Sequence, residues 1–295
     1  MTTTDGPHTN APTTNPLDEA ALLARAALVR AGALQPCALF LLATGTGMLP
    51  GRLERAGRAP LTNVAGVPPC WSECVLHWGD FHGLPVWMLE DAAREAGRGD
   101  PAWHAAFPVW LAACAGASTL IHTAAGCALG SRDAAPLGTL AFVRDHINAS
   151  GSTQLLGLGE SRLGPLFPDQ TRLHDGALRS AALAAARRLG LAGREVVAAC
   201  TLGPALETPA ERAFFARAGA DVAVQNLATP LLAAAHAGLG VLALVVVVQG
   251  GAEQIDVAHI ASAARAMAPA LDDLLWELGA DVQKLARAQL DEAGA

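Results

Sequence analysis

The chain has 295 residues, with 27 Asp and Glu against 20 Lys and Arg, a formal charge of −7 at neutral pH. Phosphate backbones are held by clustered Lys and Arg, and no such cluster occurs, so nucleic acid is excluded as the main partner. Apolar residues make up 52% and charged residues only 16%, enough apolar surface for a compact globule, with disorder expected only at the ends.

Residues 1–16 are rich in Thr, Pro and Asn and lack the basic start and apolar core of a signal peptide. They read as a disordered tail, leaving 17–295 as a single domain. The six cysteines are scattered rather than densely paired, which suits a reducing cytoplasm. A Leu/Ala-rich helix is expected over 17–31. A buried strand follows over 37–43, because a short apolar run bounded by turn residues is what a strand covered on both faces looks like. Cys70 and Cys74 come next, in Pro-Pro-Cys-Trp-Ser-Glu-Cys; with His77 and His82 they offer zinc donors, against the simpler reading of inert thiols. Further strands are expected over 85–89, 118–122, 139–144, 195–200, 221–224 and 241–248. Helices are expected over 103–115, 177–189, 210–218, 230–237 and 257–278. No membrane segment is expected, since 107–129 carries Gly116, Ser118, Thr119, His122 and Thr123, and 241–248 is too short. Thr208-Pro209-Ala210-Glu211 forms a capping box, and Thr229-Pro230 predicts a second Thr-capped helix start. Alternating strands and helices predict an α/β layered fold with a mixed, largely parallel central sheet flanked by helices.

In open α/β sheets ligands collect beyond the carboxyl ends of the strands. Thr44-Gly45-Thr46-Gly47 follows the first apolar run, a glycine-rich turn whose N–H groups suit an anion. Later runs are followed by His122-Thr123-Ala124-Ala125-Gly126, by Arg144-Asp145-His146-Ile147-Asn148, by a loop ending in Glu207, and by Gln249-Gly250-Gly251. A Gly/Thr turn, a carboxylate and an amide on one sheet edge read as a small-molecule pocket.

These residues resemble the trimeric, 6-oxopurine-type branch of the purine nucleoside phosphorylase family. The likeness is densest at Arg144-Asp145-His146-Ile147-Asn148, Gly164-Pro165-Leu166-Phe167-Pro168-Asp169, the run from Gly203 to Arg212, Gly219-Ala220-Asp221 and His236-Ala237-Gly238-Leu239. The resemblance implies attack of inorganic phosphate on the anomeric carbon of a purine nucleoside, releasing base and ribose 1-phosphate with no other cofactor. It implies that Glu207 accepts from the purine N1–H, that Gln249 stands where the family has an asparagine for N7 and O6, and that His259 lies near the ribose 5′-hydroxyl, unless it is simply an exposed helix residue. It also implies Thr46 and the Ala124 N–H on phosphate, Gln225 and Asn226 where the family has a methionine and a serine, and Phe167 reaching into a neighbouring subunit of a homotrimer, the plainer reading of Phe167 being core packing.

The phosphate side departs furthest. Where the family has an Arg-Phe-His grip, the chain reads Glu90-Asp91-Ala92-Ala93-Arg94, with Arg94 or Arg98 as substitutes, and carboxylates beside a dianion oppose its binding. The family's ribose-site tyrosine has no counterpart, because the chain contains no tyrosine. Two alternatives stay open: a noncatalytic homologue that binds a nucleoside or base, and cleavage of a modified nucleoside with altered use of phosphate.

Overall fold

A computed structural model describes residues 15–42, 48–90, 99–130, 136–250 and 257–293. In chain order the elements are α1 (Pro16–Arg30), β1 (Ala38–Leu42), β2 (Glu54–Pro60), β3 (Val75–Phe81), β4 (Leu84–Glu90), α2 (Phe107–Ala115), β5 (Thr119–Ala128), β6 (Leu140–Asn148), α3 (Gly176–Arg188), β7 (Gly193–Thr201), α4 (Pro209–Arg217), β8 (Val222–Gln225), α5 (Ala228–Ala237), β9 (Gly240–Gln249) and α6 (Val257–Ala293). The strands run in the order β2-β3-β4-β1-β5-β8-β7-β6-β9, and β9 pairs back onto β5. Five strands, β5 to β9, thus close into a ring, and β1 to β4 extend from it through β5. The sheet is mixed as expected: the β1–β4, β1–β5, β5–β9, β6–β7 and β7–β8 pairs are parallel, and β2–β3, β3–β4, β5–β8 and β6–β9 are antiparallel.

The continuous apolar runs are strands buried on both faces. Along β9, Val241, Ala243, Val245 and Val247 enter one core, and Leu242, Leu244, Val246 and Val248 enter the other. Side chains alternate across a strand, so a strand between two helical layers must be apolar at every position. The first core takes Leu17, Ala21, Ala24 and Leu28 of α1, Trp110 of α2 and Leu231 of α5. The second takes Leu178 and Ala182 of α3 and Leu271, Leu274, Leu275 and Leu278 of α6.

Four local expectations are corrected. The tail ends sooner, since Asn15 caps α1 by accepting from the Leu17 N–H at 2.9 Å and donates to the Leu158 and Glu160 carbonyls; residues 1–14 lie outside the described residues. The Thr229 cap does not form. The buried Leu227 already has helical backbone angles, so α5 starts at Ala228, and the Thr229 hydroxyl accepts instead from Gln154 at 3.1 Å. β2 and β3 have no counterpart in the predicted elements; β2, Glu54-Arg55-Ala56-Gly57-Arg58-Ala59-Pro60, shows no apolar alternation, and β3 is missed although Leu76, Trp78 and Phe81 enter the cores. β2 is the edge strand, where charge and proline discourage further pairing. Gly57 is required there: a Cβ would sit 2.5 Å from the Trp78 ring of β3. The possible zinc donors do not gather either. Cys70 Sγ donates to the His104 carbonyl, whereas His82 stacks on Trp276 at 4.3 Å.

Candidate functional site

The site forms where the ring of strands meets the β1–β4 extension. The β1 register on β5 stops at His122, and β8 joins the same flank of β5 only at Cys127. Residues 123–126 therefore have β9 on one side and, among the described residues, no strand on the other. This break falls just beyond the described end of β1. Beside it lies a cavity of about 210 Å³ whose walls include Gly126, Cys127, Glu207, Ala223, Gln225 and Val248. Gly126 keeps the wall thin, since a Cβ would stand 2.7 Å from Val245 and 2.9 Å from the Ala223 carbonyl.

Glu207 is 8% exposed and accepts a 2.5 Å hydrogen bond from the Thr201 hydroxyl at the end of β7. Among the described residues Thr201 is its one hydrogen-bond partner, so the second carboxylate oxygen is available to a ligand donor. The loop carrying Glu207 is held from three directions. Thr208 caps α4 immediately after it, Gln225 Nε2 donates to the Ala205 carbonyl at 2.8 Å, and Gly203 packs so close to Gln225 Oε1 that a Cβ would lie 2.7 Å away. Asn226 follows with φ +58°, a left-handed conformation that asparagine tolerates, and its N–H donates to the Thr201 carbonyl at 2.9 Å. Burial first, and then the Glu207 charge, pushes the Cys127 thiol up to about 11, so it stays protonated and apolar in the wall.

Gln249 ends β9, buried at 2% exposure and in register with Cys127. Arg212, 6% exposed on α4, donates to the Ala128 carbonyl at 3.2 Å and to the Gly250 carbonyl at 2.8 Å. It ties the end of β5 to the residue after Gln249, and so positions both walls. Arg212 and Thr201 carried no assigned role in the sequence. Arg212 showed only as the last residue of the family-like run from Gly203, in the first turns of a helix that begins with a complete capping box, and Thr201 showed merely as a polar end to an apolar strand.

The remaining expected residues divide. Phe167 is 89% exposed, which removes the core-packing reading. His259 lies in the first turns of α6, beside Ile260, which lines the cavity; its side chain is outside the described residues, as are Thr46 and Arg94. Glu90, expected where the family grips phosphate, ends β4 half-buried. Asp272 of α6 is 1% exposed, and burial first raises its pKa, opposed by the Met48 backbone and Arg52, with the Asp273 and then the Glu90 charge adding to the rise. Two acids thus stand near the exit of β1 and β4.

The family model described as the phosphorylase superfamily matches residues 41–278. A Geobacillus stearothermophilus protein named purine nucleoside phosphorylase 1 is 31% identical over 209 residues, covering 70% of this chain and 75% of that one. The chain belongs to the purine nucleoside phosphorylase family. A second member of this family, purine nucleoside phosphorylase 1 of Bacillus subtilis, is 33% identical over 138 residues, about half of each chain (47% and 50%). The solved structure of a Schistosoma purine nucleoside phosphorylase in complex with hypoxanthine superposes with a TM-score of 0.81 over 90% of this chain and 98% of its own. Its identity is 19%, so that likeness shows the family fold, including the mixed sheet and its flanking helices. Among the described residues no helix is long and apolar enough to cross a membrane.

Proposed function

We propose that the chain is a cytoplasmic, trimeric phosphorylase that splits a 6-oxopurine nucleoside with inorganic phosphate and needs no other cofactor. A phosphate oxygen forms a bond to C1′ as the bond from C1′ to the purine N9 breaks, giving ribose 1-phosphate, and the electron pair leaves with the base, which is protonated on nitrogen. The transition state is oxocarbenium-like, so groups that hold the developing negative charge on the purine accelerate it. Glu207 accepts from the N1–H, and the Gln249 amide meets N7 and O6. A 6-aminopurine presents an acceptor at N1 and would face an ionised acceptor. The observation that supports this reading best is the buried Glu207, held by the Thr201 hydroxyl and lining a cavity.

Purine release from inosine and guanosine, with and without phosphate, tests it. Release that requires phosphate is expected. Glu207→Gln is expected to lose about 1.5–3 kcal/mol of transition-state binding, roughly 10- to 150-fold in kcat/KM, the worth of a hydrogen bond to a charged group. Absence of purine release at saturating phosphate would sink the reading. A second reading, a homologue that binds a nucleoside or base without phosphorolysis, is favoured by one observation: Glu90, half-buried at the end of β4, and the buried Asp272 would oppose a phosphate dianion bound beside them. It is expected to show itself as a melting temperature that rises with guanosine or hypoxanthine and not with phosphate.

A further inference from the structure

A second cavity, of about 460 Å³, lies away from Glu207 and is lined by Arg144, Asp145, Gln170, Thr171 and His174. At its wall the β6 register on β7 shifts between Val143 and Asp145. A bulge of this kind breaks strict alternation and re-aims side chains, so successive residues can converge. Here Asp145 and His146 converge with His174, and one ligand atom from each lies within 4.8 Å of the others. His174 is itself fixed, bridged to Val241 and directly preceding Asp175, the cap of α3.

We propose that Asp145, His146 and His174 form a binding site for a first-row divalent metal ion, zinc in the first place, with its open coordination positions facing the cavity. His146 Nδ1 and His174 Nε2 are 3.1 Å apart. Two nitrogens each about 2.05 Å from one zinc ion stand ~3.3 Å apart at a tetrahedral angle and ~2.9 Å at a right angle, so the spacing of the two nitrogens suits one ion once the rings turn toward it. Two histidines and one carboxylate are a donor set used for zinc and for non-haem iron, three protein ligands with open positions. Binding would displace the hydrogen bond between the rings, the donor ring carrying its proton on its other nitrogen instead, so that both ligands stay neutral imidazoles. Two features limit the affinity. Arg144 brings a positive charge to the cavity, whereas Arg179, beside His174, is neutralised by Glu195 at 2.7 Å. His174 Nδ1 is buried with no hydrogen-bond partner among the described residues, so the outer anchoring worth roughly 10- to 100-fold in affinity is missing. An ion here would pin the segment ahead of α3, which carries Phe167, to β6.

The test titrates EDTA-stripped, full-length protein with zinc by calorimetry and with cobalt by visible absorption. One zinc per chain is expected, together with cobalt d–d bands and no thiolate charge-transfer band in the near ultraviolet. His146→Gln and His174→Gln should each weaken zinc binding at least about tenfold while melting in EDTA like the wild type. If either variant melts early in EDTA, Asp145→Asn, at an exposed position, serves as the readout and should weaken binding likewise. Failure of the wild type to take up stoichiometric zinc, unchanged affinity in the variants, or a cobalt–thiolate band placing the ion on cysteine would overturn the site.

Discussion

His122 illustrates how burial sets chemistry at one residue. It lies in β5 between β1 and β9, and its Nδ1–H donates to the Leu41 carbonyl at 2.8 Å. Burial first lowers its pKa from 6.5 to about 4, and the Leu41 bond only partly offsets that. Between those values the unfolded chain takes up a proton that the folded chain refuses. The stability His122 contributes is therefore present above pH 6.5 and is lost as pH falls toward 4. His174, lowered to about 4 by burial and then by His146, acts in the same window. Melting temperature is expected to drop between pH 6.5 and pH 4.5, and to drop less in His122→Gln, which keeps a donor for Leu41. Parallel curves for the two proteins would mean that His122 is not the buried neutral base described.

At the scale of the element, α4 matters because of what stands just ahead of it. The Thr208 hydroxyl accepts from the Glu211 N–H at 3.2 Å, and Glu211 accepts from the Thr208 N–H at 2.7 Å, so the first turn of α4 is closed reciprocally. Glu207 leaves the loop at that rigid point, and Arg212, one turn on, reaches across to β5 and the end of β9. Thr208→Ala is expected to cost about 1 kcal/mol of stability, measured by urea unfolding. Its kcat/KM should fall by more than tenfold, because a small misplacement of the carboxylate carries a large catalytic cost. A loss of stability with full activity would show that Glu207 does not depend on its cap.

Across the whole molecule, the closed ring of β5 to β9 hides those strand edges, and what is left exposed stands out. Phe167 projects at 89% exposure from a segment wedged against α5, where a Cβ on Gly164 would lie 1.5 Å from the His236 carbonyl oxygen. A side chain presented so firmly to solvent suits a head-to-tail contact, and such a contact must close a ring to avoid a filament. Light scattering is expected to give the mass of three chains. Phe167→Ser should raise KM for the nucleoside at least about tenfold, as expected for losing the burial of an aromatic ring. A monomer at micromolar concentration would remove the basis for Phe167 acting in a neighbouring site.

Composition and periodicity alone determined the α/β class, the strands of the two-sided core and the α4 capping box, because burial on both faces and helix capping leave local patterns in the chain. The motif around Glu207 was legible for the same reason: a loop between a buried strand and a capped helix has a sequence-local address. β2 and β3 were not, since an edge hairpin held by Gly57 against Trp78 and by an Arg55–Asp80 ion pair needs no apolar alternation. The closure of β9 onto β5, the break in described pairing at 123–126, and the convergence of Thr201, Glu207 and Gln225 were decided only by tertiary structure. Those contacts join residues tens of positions apart, and nothing in a linear pattern reports which strand ends meet. The same holds for Arg212, whose role depends on two carbonyls from other strands, and for Asp145, His146 and His174, which a bulge and a single bridge to β9 bring together.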